Sequence, residues 1–311
     1  SLYNGTRRKQ IAVNASLYGS DGVSQILLQH NSIPNMSHSL RQQLDSQSID
    51  YWTHFYELHH RTGFFKDRHN LRSAFPQLMP ESVRLNPSKW HPQLTPQPSY
   101  SFDTNLPPPP DIIQNKSLVL ELGCGTGNAA LPLLRANENL FIFACDFAKS
   151  AVNLFRSRSE YDPTRVYAFS ADITDKNALV LNSGIKPNQL QFITAIWVLS
   201  SLEPNDIGRL AENLYELLDY NGLVLIRDYA EGDLSQLRMN VDSKICENFY
   251  KCGDGTRRHF FVSDWLKAQF ENAGFITDSL EIIHRDISNR KEQLEMRRIW
   301  IQAVFRKPKA A

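Results

Sequence analysis

The 311-residue sequence is poor in cysteine and contains no long apolar segment. Its four cysteines, Cys124, Cys145, Cys246 and Cys252, form no Cys-x-x-Cys pair, which argues against a disulfide scaffold and a zinc ribbon. We therefore expect reduced thiols and a reducing compartment. Because no run of about 18 apolar residues occurs, the sequence predicts no membrane-spanning helix.

An excess of charge of either sign is also missing. Lys and Arg total 34 and Asp and Glu total 33, so the net charge is +1. This balance does not by itself indicate a nucleic-acid partner, although it leaves room for a local basic face. The apolar share of 41% is enough for a sizeable core and excludes a wholly disordered or collagen-like chain. His59 and His60 have no third ligand at metal spacing, so no metal site is assigned.

Composition divides the chain into four zones. They are a polar flexible arm, a helical segment, a proline-rich connection and a folded domain, over residues 1–48, 49–75, 76–116 and 117–308. The arm is rich in Ser, Gln and Asn and poor in acids. The connection holds ten of the sixteen prolines, and proline fixes φ and removes a backbone donor, which predicts a stiff, extended surface segment.

The helical segment carries aromatic residues on one face. Ile49, Trp52 and the pair Phe55/Tyr56 recur at helical spacing, which predicts an amphipathic helix. From the residues alone, ordinary core packing is the simplest role for Trp52 and Tyr56.

Short apolar runs alternate with helical patterns in the folded domain, which predicts an α/β fold with strands buried on both faces. The predicted strands are 117–122, 140–145, 165–170, 192–199 and 222–226, and the predicted helices are 127–136, 148–158, 205–218 and 263–273. Two further runs, 275–283 and 299–305, have no helical pattern between them and are expected to pair as an antiparallel hairpin at the sheet edge.

The sharpest motif is the glycine loop from Glu121 to Gly127, with the sequence ELGCGTG. It follows a predicted strand and opens a predicted helix, but its GxGxG spacing differs from the GxGxxG of dinucleotide-binding folds and it lacks the GK[ST] of a Walker loop. Asp146 and Asp172 end the next two strands, where carboxylates can bind a ribose and an adenine. The alternative for these two acids is simple helix capping. Together the loop and the acids resemble the class I S-adenosylmethionine-dependent methyltransferases.

Several further segments carry a narrower resemblance, to the eukaryotic tRNA N3-methylcytidine methyltransferases. It runs from about residue 49 to 308, interrupted over 76–116. The segments are FFKDRH at 64–69, ACDF at 144–147, IRDY at 226–229, ENFY at 247–250, DGTR at 254–257 and MRRIWIQ at 296–302. One departure is Asn70, which stands where family members usually have tryptophan after the histidine of FFKDRH.

The resemblance implies a class I, Rossmann-like fold: a mostly parallel seven-stranded sheet with helices on both faces and an N-terminal helical extension that acts as a lid over cofactor and RNA. It implies S-adenosylmethionine as cofactor and tRNA as substrate, methylated at N3 of a cytidine in the anticodon loop, typically position 32. The cofactor-binding residues are then expected to be Trp52, Tyr56, Glu121, Gly123, Gly125, Asp146, Phe147, Asp172, Ile173 and Ile196.

The chemistry needs little from side chains, because the in-plane lone pair of cytosine N3 can attack a methyl group without prior deprotonation. The expected catalytic residues are Asp228, as a carboxylate near the developing positive charge, and Arg68. The alternative for Asp228 is an ion pair with Arg227 or Arg257 that only braces the site. The expected substrate-binding residues are Lys66, Arg68, His69, Tyr229 and Arg257, with core packing and solvated charge as their alternatives.

Other functions stay open at this point. The chain could methylate another RNA, a protein or a small molecule, or it could be a non-catalytic RNA-binding assembly protein that keeps the fold, an option that Asn70 favours. An aminoacyl-tRNA synthetase or another tRNA-recognition protein is an open partner, and a monomer is the default. We expect a cytoplasmic protein; a mitochondrial one is the alternative, because the acid-poor arm carries a basic cluster at Arg7, Arg8 and Lys9.

Overall fold

Seven strands form one sheet in the computed structural model, which describes residues 20–59, 66–85, 99–289 and 294–309. The strand order is β3-β2-β1-β4-β5-β10-β9, with all neighbours parallel from β3 to β5 and with β10 antiparallel to both β5 and β9. These strands are β1 (Ser117–Leu122), β2 (Leu140–Asp146), β3 (Val166–Ser170), β4 (Leu190–Ile196), β5 (Leu218–Tyr229), β9 (Ile276–Asn289) and β10 (Leu294–Arg306). The predictions of an α/β fold, a mostly parallel sheet and an edge hairpin are confirmed.

A second, three-stranded sheet that the sequence did not predict lies between β5 and β9 in the chain. Its strands are β6 (Lys244–Cys246), β7 (Phe249–Lys251) and β8 (Arg257–His259), paired antiparallel in that order. Each strand has only three residues, which is too short for an alternating pattern to stand out in the sequence.

Twelve α-helices are found in the part of the chain that the structure describes. They are α1 (Ser20–Ser32), α2 (His38–Ser46), α3 (Ser48–Leu58), α4 (Leu71–Ala74), α5 (Glu81–Leu85), α6 (Pro110–Ile113), α7 (Ala130–Ala136), α8 (Lys149–Arg156), α9 (Lys176–Ser183), α10 (Ile207–Leu217), α11 (Leu234–Leu237) and α12 (Ser263–Asn272). None of these described helices is long and apolar enough to cross a bilayer.

Helices cover both faces of the central strands, which is what a parallel sheet buried on both sides requires. Every residue of β2 is buried, as are Leu118 to Leu122 of β1. One face packs on α10 and α12, where Phe305 stacks on Phe270 at 4.4 Å between ring centroids. The other face packs on α7 and α8 through residues such as Phe155.

Helix α9, which connects β3 to β4, was not predicted from the sequence. Its start is fixed by Asp175, whose carboxylate accepts hydrogen bonds from the backbone N–H of Asn177 and Ala178. Its end is fixed by Gly184, which adopts a φ of 71°. The local capping signals were present, but the eight residues between them have no clear apolar period.

The prediction of a flexible arm over residues 1–48 is wrong for the described part of that range, because residues 20–32 and 38–46 are helical. These helices dock on the small sheet. His30 Nδ1 shares a hydrogen bond of 3.1 Å with Tyr250 Oη, and Leu44 packs on Ile245 and Phe249. Tertiary contacts therefore order a segment whose own composition is polar. Residues 1–19, with the basic cluster, lie outside the described residues.

The proline-rich connection is only partly the surface segment that was predicted. Leu78, Met79 and Val83 are buried on the face formed by α7 and α8, and Asn137 Nδ2 donates to the Leu78 carbonyl at 2.8 Å. The prolines here begin short turns of helix, a position where the missing N–H costs nothing. Residues 86–98 lie outside the described residues.

Candidate functional site

A cavity of about 180 Å³ opens at the carboxyl ends of the parallel strands, roofed by α3. This is the edge at which open α/β sheets bind ligands. Of the predicted cofactor-binding residues, the cavity wall contains Trp52, Tyr56, Gly123, Asp146, Phe147, Asp172 and Ile173. It also contains residues that the sequence did not single out: Asp45, Ser48, Thr174, Trp197, Val198, Ser201, Leu202, Glu203 and Asp206.

The glycine loop needs glycine for two physical reasons. Gly123 and Gly125 have φ values of 63° and 53°, in the left-handed region that other residues avoid. A Cβ at Gly123 would also lie 2.4 Å from Cγ2 of Val198, and one at Gly125 would lie 2.9 Å from Oη of Tyr56. The loop is therefore pressed between the β4 loop and the roof helix, with its backbone facing the cavity.

Asp146 joins the ends of β1 and β2. Its Oδ2 accepts a hydrogen bond of 2.8 Å from the Gly125 N–H, and its Oδ1 accepts one of 2.9 Å from the Ala148 N–H. Burial raises the pKa of this carboxyl to about 6, against the backbone donors that favour its charged form. The two N–H donors hold the carboxylate at the cavity wall, where it can accept hydrogen bonds from a pair of ribose hydroxyls.

Glu121 lies behind the glycine loop and does not line the cavity. Its Oε2 is buried and has no hydrogen-bond partner among the described residues. Burial, with the neighbouring Asp146, raises the pKa of Glu121 to about 8. An unpaired buried carboxyl beside a second carboxylate is costly in its charged form, and a cationic group bound nearby would offset that cost.

Asp172 and Ile173 form another part of the wall. Both hydrogen bonds that the Asp172 side chain accepts from described residues, from the N–H and Oγ1 of Thr174, reach its Oδ1. Its Oδ2 is left for a ligand donor such as an adenine amino group. Ile173 is 6% exposed and gives a flat apolar contact beside it. Ile196, by contrast, is packed in the core at the end of β4 and does not line the cavity.

The roof consists of the aromatic face of α3. Trp52 and Tyr56 line the cavity, with their ring centroids 6.2 Å apart, and Tyr56 packs on Ala148 and Ala151 of the α8 region. Burial raises the pKa of the Tyr56 hydroxyl well above its usual range, so the hydroxyl stays protonated. Helix α3 therefore contributes two aromatic side chains to the cavity wall.

The sequence analysis expected Arg257 to bind the substrate, but in the structure its side chain is engaged by two carboxylates. It is 7% exposed, and its Nη1 contacts Glu203 Oε1 at 2.7 Å and Asp45 Oδ1 at 2.9 Å. Arg41 of α2 contacts the same Glu203. This network clamps the N-terminal helices to the loop after β4, so Arg257 lines the cavity as a brace.

Asp228, which was expected to be a carboxylate near the developing positive charge, is held inside the protein. Asp228 is 0% exposed and does not line the cavity, and burial raises its pKa to about 6. Its carboxylate accepts hydrogen bonds from the N–H of Ser200 at 3.0 Å and of Tyr229 at 2.8 Å. It pairs with neither Arg227 nor Arg257; it holds the turn after β4 that carries Trp197.

Aromatic rings and arginines form a wall beside the cavity, which we call the aromatic wall: Arg68, Trp197, Tyr229, Arg258 and Trp300. Arg68 Cζ lies 6.0 Å from the Trp197 ring, and Arg258 Cζ lies 4.6 Å from the Tyr229 ring. Trp197 packs edge-on against Trp300 at 5.3 Å and at 4.9 Å from Tyr229. The predicted residues Arg68 and Tyr229 are thus brought together.

The other predicted substrate residues are more distant. Lys66 and His69 are exposed and do not line the cavity, and Phe64 and Phe65 lie outside the described residues. Trp197, which sequence reasoning missed, has an unusual φ of 62° directly after β4. The only sequence signal for Trp197 was its position at the carboxyl end of a predicted strand, which it shares with the other site residues. No group of metal-ligating side chains occurs in the described ranges.

Comparison with known proteins gives consistent matches. A family profile described as a methyltransferase domain matches residues 120–224. The tRNA N(3)-cytidine methyltransferase METTL2 of Danio rerio is 36% identical over 285 residues, covering 90% of this chain and 79% of that protein. METTL2 of Mus musculus is 33% identical over 318 residues, covering 91% and 81%. A solved SAM-dependent methyltransferase from Methanosarcina mazei is 14% identical, with a TM-score of 0.48, covering 66% of this chain and all of that one.

The residues around the cavity fit S-adenosylmethionine, which is the cofactor. Asp146 can hold the ribose, Asp172 and Ile173 the adenine, and the side-chain-free glycine loop can approach the amino-acid part. The orphaned Oε2 of Glu121 and the carboxylate of Asp146 suit a cofactor that carries positive charge.

The buried Glu121 gives a stability prediction. Its pKa of about 8 in the folded protein lies above its usual value of 4.5, so the folded state holds a proton that the unfolded chain has released between these pH values. The cofactor-free protein should therefore lose stability as pH rises from about 5 to 8. Glu121→Gln should flatten this decline, and Glu212→Gln, at an exposed position on α10, should not. Melting temperatures from pH 5 to 9 measure this; equal slopes in wild type and Glu121→Gln would contradict it.

Gly123→Ala should weaken cofactor binding. An alanine there is strained by its positive φ, at a cost of about 1–2 kcal/mol, and its Cβ would displace Val198 from the cavity wall. We expect at least a tenfold rise in the Kd for S-adenosylhomocysteine by calorimetry, where tenfold corresponds to about 1.4 kcal/mol. Gly253→Ala is the matched control, since a Cβ there meets nothing within 4 Å. Similar Kd values for both variants would contradict the role of the loop.

Proposed function

The chain belongs to the family of tRNA N(3)-cytidine methyltransferases, and we propose that it methylates N3 of cytidine 32 in the anticodon loop of tRNA. It is an S-adenosylmethionine-dependent methyltransferase. The observation that carries the proposed substrate is the aromatic wall beside the cofactor cavity, in a chain that aligns with its relatives over nine-tenths of its length.

When bound, S-adenosylmethionine supplies an electrophilic methyl group on a sulfonium sulfur. Cytosine N3 attacks it with a lone pair that lies in the plane of the ring, so no side chain has to remove a proton. The work of the protein is to hold the base in line with the methyl group, and correct alignment alone can account for a large part of a rate enhancement. This matches a site whose carboxylate, Asp146, is held in place by backbone N–H groups.

N3 lies on the Watson–Crick edge, so the target cytidine has to be unpaired or flipped out of a helix. A loop nucleotide meets this requirement at little cost. Trp197 and Tyr229 offer ring faces beside the cavity, and base–aromatic stacking contributes about 1–3 kcal/mol per base. The guanidinium of Arg68, half-buried beside Trp197, can donate to the O2 carbonyl of cytosine. Burial lowers the pKa of Arg68 from its usual range.

The edge hairpin offers a surface for the RNA backbone. Six ladder pairs, from Ile299–His284 to Leu294–Asn289, continue past the last pair between β10 and β5. At about 3.3 Å per residue, the hairpin projects roughly 20 Å beyond the carboxyl edge of the sheet, the edge that carries the cavity. Arg290 and Lys291, which lie between the two strands in the sequence, are outside the described residues.

Charge on the hairpin is arranged for an anion. Arg285 and Arg298 face each other directly across the two strands, and like charges in such pairs are destabilising. Arg298 is compensated by the buried Asp233, at 2.9 Å, but Arg285 has no ion-pair partner among the described residues. A phosphate bound beside Arg285 would relieve the repulsion.

The function is tested by incubating the purified protein with S-adenosylmethionine and an unmodified tRNA transcript, followed by nucleoside mass spectrometry. We expect N3-methylcytidine from wild type and none from Asp146→Ala, which loses the carboxylate expected to hold the ribose of the cofactor. A transcript with uridine at position 32 should give no product. Product from that transcript would place the target elsewhere, and no product despite cofactor binding would contradict activity of this chain alone. If no product forms, adding an aminoacyl-tRNA synthetase tests whether methylation requires a partner that recognises the tRNA.

Arg285→Ala should weaken tRNA binding and make it less sensitive to salt. Because each neutralised phosphate releases counterions, removing one arginine from the backbone should reduce the slope of log K against log salt concentration by about 0.7–0.9. Binding titrations at several salt concentrations measure the slope, with Lys267→Ala on α12 as the control because that lysine already pairs with Glu271 of its own helix. Identical slopes for wild type and Arg285→Ala would contradict a contact between Arg285 of the hairpin and the RNA backbone.

A further inference from the structure

In the segment that precedes α4, one acidic side chain, that of Asp67, contacts the methyltransferase domain. Asp67 Oδ2 contacts Arg135 Nη1 at 3.2 Å, and its Oδ1 contacts Arg158 Nη1 at 3.3 Å and Asn128 Nδ2 at 3.3 Å. Arg135 lies in the last turn of α7, and Arg158 follows α8. A single carboxylate therefore receives donors from three places around the glycine loop.

The two arginines do not depend on Asp67 alone. Glu160 accepts from Arg135 Nε at 3.0 Å and from Arg158 Nη2 at 3.1 Å. Glu160 lies in the same part of the domain as the arginines, whereas Asp67 comes from the N-terminal extension. The two carboxylates thus bind the same pair of cations, but only Asp67 connects that pair to another segment.

The attachment fixes the residue next to Asp67. The Arg68 N–H donates to the Asn128 carbonyl at 2.7 Å, and Arg158 Nη1 donates to the carbonyl of Thr126 at 3.3 Å, both in the glycine loop region. From this anchored backbone, the Arg68 side chain reaches the Trp197 ring of the aromatic wall. The next residues that hold the segment by burial are Leu71 and Phe75.

We propose that Asp67 is a positioning residue for methyl transfer, which acts through Arg135 and Arg158 to hold Arg68 against Trp197 while the glycine loop holds the cofactor. The inference rests on the proposed function, because it assigns Arg68 to the substrate side of the site. Asp67 itself touches neither the cavity nor the aromatic wall. Its effect should therefore appear in the alignment of the target base and not in cofactor affinity.

The test compares two variants that each remove one carboxylate from the same arginine pair. Asp67→Asn should lower kcat for tRNA methylation about tenfold or more, because small misplacements of a positioning group have effects of this size. Its Kd for S-adenosylhomocysteine should stay within about twofold of wild type. Glu160→Gln should stay within about twofold of wild type in both, as expected for a partly exposed ion pair.

A double-mutant cycle separates positioning from general stabilisation. If Asp67 acts through Arg68, Asp67→Asn should have no further effect on kcat in an Arg68→Ala background. Arg135→Gln serves as a second variant should Asp67→Asn fail to fold, and its loss of kcat should likewise vanish in the Arg68→Ala background. The inference would be overturned if the reductions in kcat caused by Asp67→Asn and Arg68→Ala multiplied in the double mutant. It would also be overturned if Asp67→Asn and Glu160→Gln had equal kcat. Absence of N3-methylcytidine from wild type would instead overturn the proposed function.

Discussion

Parallel pairing of β1 with β2 on one side and with β4 on the other is the constraint on which the site depends. It brings the carboxyl ends of neighbouring strands to one edge, so that the glycine loop, Asp146 and Trp197 meet although they are far apart in the chain. The hydrogen bond from Gly125 to Asp146 then ties the first two strand ends together. Close packing of the loop against Val198 and Tyr56 leaves room for backbone alone at the glycines.

Charge in this protein is divided between structure and binding. Arg257, Arg135 and Arg158 are largely buried and are neutralised by carboxylates from other elements. Arg68 and Arg285 carry no such carboxylate among the described residues, and both raise the positive potential around Arg227, whose pKa is lowered by burial and by these two arginines. A chain with a net charge of +1 can therefore present a basic surface at one edge, because its acids neutralise the arginines that lie elsewhere.

Local patterns predicted the central sheet well, since its strands are apolar runs bounded by turns and its ligand-binding loop is a glycine motif. Helices α1 and α2 could not be predicted in this way, because their stability comes from docking on β6 to β8 and not from their own apolar faces. The buried positions of Arg257 and Asp228 could not be predicted for a related reason. Both are polar residues in a suggestive motif, but their partners, Glu203 and the Ser200 N–H, are set by tertiary packing between distant parts of the chain.

The clamp between α2 and the small sheet has a consequence for the order of assembly. Asp45, in the helix before the roof, reaches Arg257 about 200 residues later, and His30 reaches Tyr250 over a similar separation. During synthesis the N-terminal helices emerge first, but the surface that receives them is translated only after most of the sheet. The cofactor chamber is thus completed late, by contacts between residues far apart in the sequence. Such contacts slow folding, because the chain loses the entropy of loop closure before the contacts stabilise it.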